Sequence, residues 1–401
     1  MKQTDIKEIA LMDIKRQHAE HAEEYEAAAL EVMRSGKYIN SEHVRMFEEA
    51  FASYVGAGYA IGVGNGTDAL CIALQALGIG PGDEVITSPF TFVATAEPIV
   101  SLGAKPVFVD VNPDTCCMDP EKLEAAVTEK TKAILPVHFY GHCAEMDEIS
   151  RIAGQHNLYV IEDACQAAGA DYKGKRAGAL GTMGCFSFFP TKTLGCAGDG
   201  GMITTDSREL AQACRALRVH GSGLDGLRTW NRLHPSRPQL DEERDLDARI
   251  PKYFNYLIGQ NSRLDELQAA VLNKKLAYLD EWIARRRAHA DRYNEALAGT
   301  SYRLPAEHTG CKHAYYLYVL QHPRMQEICR ALGERGIGCG TYYPVPLHLQ
   351  KAFEEFGYQK GDFPVAERLA AETFAVPVFP ELKNEEQSYI IETLLELEKK
   401  L

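Results

Sequence analysis

Short apolar runs alternate with helical stretches between residues 59 and 163, and this alternation constrains the fold more than any other feature. The runs are YAIGV (59–63), EVITS (84–88), KPVFVD (105–110), KAILPV (132–137) and LYVIED (158–163), with helices predicted near 67–77, 91–102, 119–128 and 145–156. Strands that are apolar on both faces and alternate with helices are typical of an α/β domain with a mostly parallel sheet. Two further runs, at 184–189 and 200–205, are too close together for a helical crossover. One of them is therefore predicted to be antiparallel, which gives about seven strands.

The rest of the chain predicts helices on both sides of this sheet and a smaller unit after it. Helices are expected over 13–35, 41–54 and 207–219, and a long helical region over 263–297 with a possible break near 277–280. Residues 221–250 combine Gly, Pro and mixed charge without periodicity, so we expect a long insertion without regular structure. Strands at 315–320 and 337–343 and helices at 324–335, 362–372 and 385–400 predict a small C-terminal α/β domain. The boundary is placed near residue 280, giving domains 1–280 and 281–401.

Charge and composition exclude several classes of protein. The net charge of −13 argues against nucleic-acid binding, which needs a basic face. No apolar run reaches the length of a membrane span, and the N-terminus lacks a signal-peptide core. Eleven cysteines without framework spacing indicate reduced thiols in a cytoplasmic protein. His18 and His21 are three residues apart without a further ligand pattern, so no metal site is expected.

Two segments that follow strands are candidates for holding a phosphate and a flat ring. In GVGNGTDAL (62–70) a Gly-rich turn opens a helix at about Thr67, and free N–H groups at a helix N-terminus bind phosphate. A plain tight turn capped by Thr67 is the alternative. In SPFTFVATAEP (88–98), Phe90 and Phe92 follow a strand end, where an aromatic face could cover a ring, although core packing is the more common role of Phe.

Two more segments supply a carboxylate and a lysine. Asp163 ends an apolar strand and needs a partner, which a protonated pyridine nitrogen or the backbone of the next helix could provide, and Gln166 follows it. Lys192 comes just after a strand and Pro190; a desolvated lysine is a nucleophile for carbonyls, whereas a solvated loop lysine is the ordinary alternative. A phosphate cradle, an aromatic plate, a carboxylate and a lysine together match the needs of pyridoxal 5′-phosphate (PLP).

The motifs resemble those of fold-type-I PLP-dependent nucleotide-sugar aminotransferases of the DegT/DnrJ/StrS type. The resemblance extends from about residue 11 to the last helix. It is carried by GVGNGTDAL, PFTFVAT, VHFYGHCAEMD, EDACQAAGA, FSFFPTKTLGCAGDGG, RVHG, NSRLDELQAAVL, YYPVPLHLQ and VPVFPEL. It implies a large PLP-binding domain with a seven-stranded sheet and a smaller C-terminal domain.

The resemblance also implies a role for each matching residue. Lys192 would bind the cofactor as a Schiff base and shuttle a proton, and Asp163 would keep the ring nitrogen protonated. Gln166 would bind the phenolic oxygen and Phe92 would stack on the ring. The phosphate would be held by Gly66, Thr67, Asp68, Ser187 and, from the neighbouring subunit, Asn261. This last contact implies a homodimer with shared active sites.

Lysine at position 192 distinguishes amino transfer from dehydration, because related sugar dehydratases have histidine there. The resemblance thus implies a ping-pong reaction in which glutamate converts the cofactor to its pyridoxamine phosphate form, which then aminates a nucleotide-linked keto-deoxysugar. The alternatives are a keto-sugar or cyclitol without a nucleotide, or a catalytically silent regulatory homologue.

The sequence departs from the family near the expected substrate. Tyr316 and Tyr342 stand where histidine is common, so the sugar is left open, as are the nucleotide, the aminated carbon and the donor. Segment 221–250 is either a cover for the substrate pocket or a solvated insertion. The remaining candidate substrate residues are His220, Arg218, Arg263 and His348.

Overall fold

A seven-stranded sheet forms the centre of the computed structural model, which describes residues 8–240 and 254–400. The strands in chain order are β1 (Tyr59–Val63), β2 (Glu84–Thr87), β3 (Lys105–Phe108), β4 (Thr131–Leu135), β5 (Tyr159–Asp163), β6 (Asp171–Tyr172), β7 (Lys175–Arg176), β8 (Met183–Ser187), β9 (Gly201–Thr205), β10 (Cys311–Lys312), β11 (Tyr318–Gln321) and β12 (Thr373–Val376). The order in the large sheet is β1-β9-β8-β5-β4-β2-β3. Strand β9 is antiparallel to β1 and β8, while the other neighbours pair in parallel. The prediction of a mostly parallel seven-stranded α/β sheet is confirmed.

Helices cover both faces of this sheet. The helices are Ile14–Glu20, Ala22–Ser35, Glu42–Val55, Gly66–Ala76, Glu97–Ser101, Met146–His156, Arg208–Leu217, Gly223–Leu233, Glu266–Leu276, Leu279–Ala296, Met325–Glu334, Pro364–Glu372 and Asn384–Glu398. Consecutive strand residues belong to different cores: Cys185 packs with the helices at 66–76 and 208–217, and Phe186 packs with those at 42–55 and 146–156. Because both faces of these strands are buried, their sequences are nearly continuous apolar runs.

The C-terminal part has its own sheet and core. Strands β11 and β12 pair antiparallel, and a third apolar cluster surrounds them. Ile9, near the start of the described chain, joins this cluster and pairs with Ile337. The helices 266–276 and 279–296 meet at the predicted break, and the domain boundary near residue 280 stays a prediction.

Several local predictions were wrong. The helix expected over 13–35 is interrupted at His21, whose φ of −136° is not helical, and 119–128 forms short 3-10 turns. No strand forms over 337–343, where Gly340 makes a single bridge to Ala375.

The segment 221–250 is not wholly irregular, because it contains the helix Gly223–Leu233. A Cβ on Gly226 would lie 2.4 Å from the Gly221 carbonyl oxygen, so glycine is required there for close packing. Because glycine is a poor helix former, glycines at such positions weaken the sequence pattern by which a helix is predicted. Residues 241–250 of this segment lie outside the described residues.

Two further properties follow from the described residues. None of their helices combines the length and the apolar character that crossing a membrane requires. All eleven cysteines carry free thiols.

Candidate active site

A cavity of about 820 Å³ lies at the carboxyl ends of β5 and β8, where parallel α/β sheets bind their ligands. The loops after β1 and β2 and a segment of the C-terminal part complete its walls. Ten residues singled out from the sequence line it: Gly66, Thr67, Asp68, Phe92, Asp163, Gln166, Ser187, Lys192, Tyr316 and Tyr342. The topology therefore brings the four separate sequence segments into one site.

The start of the helix 66–76 forms one end of the cavity. Asn65 caps this helix, its side-chain oxygen accepting a hydrogen bond from the Asp68 N–H at 2.8 Å. A Cβ on Gly66 would lie 2.8 Å from Ser187 Cβ and 2.9 Å from Cys165 Sγ, so only glycine lets the helix start so close to the end of β8. The start of this helix lines the cavity, where its free N–H groups and the positive end of its dipole would stabilise an anion. This cradle fits a phosphate.

Asp163 is a buried carboxylate that forms no ion pair within the described part of the chain. It is 5% exposed; Thr95 Oγ1 donates to its Oδ2 at 2.7 Å, and the Cys165 N–H donates to its Oδ1 at 3.2 Å. Both donors are neutral, so neither of them supplies a positive charge to the carboxylate. A protonated ring nitrogen bound in the cavity would supply the missing positive charge, so Asp163 fits PLP.

Gln166 is oriented by the main chain. The Tyr140 N–H donates to its side-chain oxygen at 2.8 Å, and the side chain is buried. With the oxygen engaged, the amide nitrogen of Gln166 is the end that can donate. A donor in this place fits an anionic phenolic oxygen.

Lys192 lies among aromatic side chains. Its Nζ is 4.7 Å from the centroid of the Tyr316 ring. Phe92, which follows β2 at the same edge of the sheet, is 51% exposed and its ring lies 5.3 Å from that of Tyr343, so a face is available for stacking. The Tyr140 hydroxyl donates to the Tyr342 carbonyl. This hydrogen bond connects the segment that contains Tyr342 and Tyr343 to the loop that follows β4.

Two of the predicted substrate residues have other partners. Arg218 forms a partly buried ion pair with Glu48 at 2.5 Å and donates to the Gly62 carbonyl at 2.7 Å. His348 is 2% exposed and its Nε2 lies 3.1 Å from Glu367 Oε1. Neither side chain lines the cavity.

Three further candidates also lie outside the cavity lining. Asn261 is exposed and pairs with Val219 through a single bridge. His220 is exposed, and its backbone N–H donates to the Gln260 carbonyl at 3.0 Å. Arg263, two residues after Asn261, is partly buried. The contact of Asn261 with a neighbouring subunit stays a prediction.

Sequence reasoning missed Thr95 and Tyr343. Thr95 donates to Asp163 and lies 2.9 Å from the hydroxyl of Thr91, so the two hydroxyls form a chain that ends on the carboxylate. Their spacing of four residues in TFVAT was the available signal. Tyr343 lines the cavity beside Phe92, and its neighbour Tyr342 was the only sequence indication.

Comparison with known proteins identifies relatives over nearly the whole chain. The model of the DegT/DnrJ/EryC1/StrS aminotransferase family matches residues 19–395. The chain is 46% identical over 391 residues to a pleiotropic regulatory protein of Geobacillus stearothermophilus, covering 97% of this chain and 98% of the relative. It is 41% identical over 374 residues to the UDP-2-acetamido-2-deoxy-3-oxo-D-glucuronate aminotransferase of Pseudomonas aeruginosa, covering 93% and 96%.

Solved structures share the fold. The crystal structure of DesV from S. venezuelae in complex with a ketimine intermediate superposes with a TM-score of 0.89 at 38% identity, covering 98% of this chain and 99% of that chain. The structure of NtdA from Bacillus subtilis with bound cofactor PMP has a TM-score of 0.84 at 31% identity, covering 100% and 87%. Together with the family match, these results show that the chain belongs to the DegT/DnrJ/EryC1/StrS aminotransferase family.

Proposed function

We propose that this protein is a PLP-dependent aminotransferase that moves an amino group from an amino acid, glutamate being the expected donor, to a nucleotide-linked keto-deoxysugar. The observation that carries the proposal is the meeting of Lys192, Asp163 and the N-terminus of the helix 66–76 in one cavity. A nucleophilic amine, a buried carboxylate and an anion cradle are what an aldehyde, a ring nitrogen and a phosphate require.

Each residue has a defined part in the proposed reaction. When bound, PLP supplies an aldehyde and a protonated ring that takes up an electron pair from the substrate carbon. Lys192 Nζ holds the cofactor and carries the proton to and from the substrate carbon. Asp163 keeps the proton on the ring nitrogen, and Gln166 donates to the phenolic oxygen. Phe92 covers one face and excludes water from it.

The substrate class rests on the relatives together with the shape of the site. The Pseudomonas relative is named for a UDP-linked 3-oxo sugar. Tyr316, Tyr342 and Tyr343 line the same cavity as Lys192 and form its tyrosine wall, whose ring faces suit the apolar face of a deoxysugar. The amino-acid donor and the keto-sugar acceptor would bind in the same cavity one after the other, which supports a ping-pong order.

Assembly, compartment and domain division are part of the proposal. The active form would be a cytoplasmic homodimer in which Asn261 reaches the neighbouring subunit's cofactor phosphate, because Asn261 is exposed and lies outside its own cavity. Residues 1–280 would bind the cofactor, with residues 281–401 as a smaller domain.

A catalytically silent regulatory protein is the second candidate, and the name of the Geobacillus relative is the observation that favours it. Such a protein has no need for a reactive lysine beside a cofactor-binding carboxylate. The presence of both side chains in one cavity therefore favours the enzyme.

The experiment is spectroscopic and chemical. The purified protein should be yellow with PLP, lose that colour with glutamate, and give a borohydride-reduced adduct on Lys192. Lys192→Ala should lose the adduct and amino transfer to keto-sugar nucleotides, while circular dichroism checks its fold. Normal transamination by this variant, or failure of the wild type to bind PLP, would contradict the proposal.

A further inference from the structure

Lys275 is a buried lysine without a carboxylate partner among the described residues. It lies near the end of the helix 266–276, is 9% exposed, and makes no ion pair there. Its Nζ donates to the Gly195 carbonyl at 2.8 Å and to Gln17 Oε1 at 3.2 Å, and lies 5.4 Å from the Tyr25 ring centroid. Burial lowers the pKa of Lys275. Removing an ammonium from water for neutral hydrogen-bond acceptors costs stability, and the Glu381 carboxylate offsets only part of that cost because it makes no ion pair with Lys275.

The carbonyl that Lys275 binds belongs to the turn that carries Lys192. This turn is tightly closed: the Lys192 N–H donates to the Phe189 carbonyl at 2.8 Å, and the Cys196 N–H donates to the Phe188 carbonyl at 2.8 Å. At Gly195 a Cβ would lie only 2.4 Å from the Pro190 carbonyl oxygen. The turn therefore has little freedom to shift without losing its internal hydrogen bonds.

The same helix holds the turn at a second point. The Ala197 N–H donates to Gln268 Oε1 at 2.8 Å, about two helix turns before Lys275. Through Gln17, Lys275 also links the turn to the helix 14–20 at the start of the chain. Three segments that are distant in sequence thus meet beside the backbone turn that carries Lys192: the turn itself, the helix 14–20 and the helix 266–276.

We propose that Lys275 is a positioning residue for Lys192, whose ammonium fixes the turn by binding the Gly195 carbonyl. The proposal rests on the proposed function only in taking Lys192 as the residue that binds PLP. It gives a role to a charge at a position where an unbranched apolar side chain would fit the burial better. A residue kept for stability alone has no reason to carry this charge.

Replacement of Lys275 by methionine distinguishes a role in positioning Lys192 from a role in stability alone. Lys275→Met keeps an unbranched side chain that is one atom shorter, removes the buried charge and removes the donor to Gly195. Lys275 lines a cavity of about 440 Å³, so water can reach the carbonyl that the change frees. We expect the melting temperature of the PLP-free protein to equal or exceed that of the wild type. We expect Lys192 to capture PLP about tenfold more slowly, because small displacements of a reacting group cost large factors in rate.

The test measures both quantities on the full chain. PLP is added to the PLP-free wild type, Lys275→Met and Lys274→Met, samples are reduced with borohydride at intervals, and the Lys192 adduct is quantified by mass spectrometry. Lys274 is the matched control: it is exposed, 3.8 Å from Glu24, and its variant should behave as the wild type. Thermal unfolding is followed in parallel.

The outcomes are distinct. An unchanged capture rate in Lys275→Met, or a lower melting temperature than in Lys274→Met, overturns the positioning role. If Lys275→Met yields no folded protein, Lys275→Gln is judged by the same two criteria. Absence of a Lys192 adduct in the wild type refutes the proposed function itself.

Discussion

Replacing Gly66 by alanine tests the cradle at the start of the helix 66–76. The new Cβ would lie 2.8 Å from Ser187 Cβ, about 0.6 Å short of the 3.4 Å at which ordinary contact begins, and 2.9 Å from Cys165 Sγ. Overpacking of this kind costs about 1–3 kcal/mol, and the better helix propensity of alanine returns only about 0.5–1 kcal/mol. The free energy of unfolding should therefore fall by about 1 kcal/mol, and by about 2.5 kcal/mol at most.

Relief of this clash requires the start of the helix 66–76 to shift away from Ser187 and Cys165. That shift would move the N–H groups of the helix away from the phosphate of bound PLP. A hydrogen bond to a charged group is worth about 1.5–3 kcal/mol, so losing one weakens PLP binding by roughly 10- to 100-fold. Urea unfolding of the PLP-free protein gives the stability, and absorbance titration with PLP gives the dissociation constant.

Gly154 provides the matched control, because it lies inside the helix 146–156 and a Cβ added there would have no neighbour within 4 Å. Gly154→Ala should stabilise the protein by about 0.5–1 kcal/mol and leave PLP affinity unchanged. A Gly66→Ala variant that matches the wild type in both measurements refutes the steric reasoning about the cradle.

Two further predictions concern a buried hydroxyl and a buried histidine. Thr95→Val removes the donor to Asp163 Oδ2 and should lower kcat about tenfold, a factor expected for one hydrogen bond to a charge. Thr87→Val, which removes a buried hydroxyl bonded at 2.8 Å to the Leu135 carbonyl, should leave kcat unchanged; equal losses in both variants would speak against a specific role of Thr95. Burial lowers the pKa of His142 from 6.5 to about 4, so the unfolded chain binds the extra proton and the free energy of unfolding falls as pH drops from about 6.5 to about 4. The loss should reach about 3 kcal/mol at about 1.4 kcal/mol per pH unit, and denaturant unfolding of His142→Asn at several pH values should show a shallower dependence. An unchanged slope would mean that other groups control acid unfolding.

The central sheet could be predicted because its strands are buried on both faces. Runs such as 159–163 are then apolar throughout most of their length and stand out from the helices between them. Asp163 and Lys192 could be singled out for a related reason, since a charged side chain directly after a buried strand needs a partner. Their meeting in one cavity follows from the topology, because strand ends of parallel neighbours share one edge of the sheet.

Contacts between distant segments could not be predicted in this way. Nothing local indicates that Ile9 pairs with Ile337 or that Thr95 donates to Asp163. The helix 223–233 was missed because Gly226, needed for close packing against Gly221, weakens the helical pattern. No sequence signal indicates that Lys275 donates to the Gly195 carbonyl, because the two residues are 80 positions apart in the chain.

The tyrosine wall and the reactive residues come from different parts of the chain, and this separation has an evolutionary consequence. Asp163 and Lys192 stand on the large sheet and its turns, whereas Tyr316, Tyr342 and Tyr343 come from segments that follow the helix 279–296. Under the proposed function, substitutions at Tyr342 and Tyr343 would change the sugar that is accepted while Asp163 and Lys192 stay in place on the large domain. A family built on this plan would diversify its substrates while its chemistry stays constant, and exchanging these segments between relatives would test that consequence.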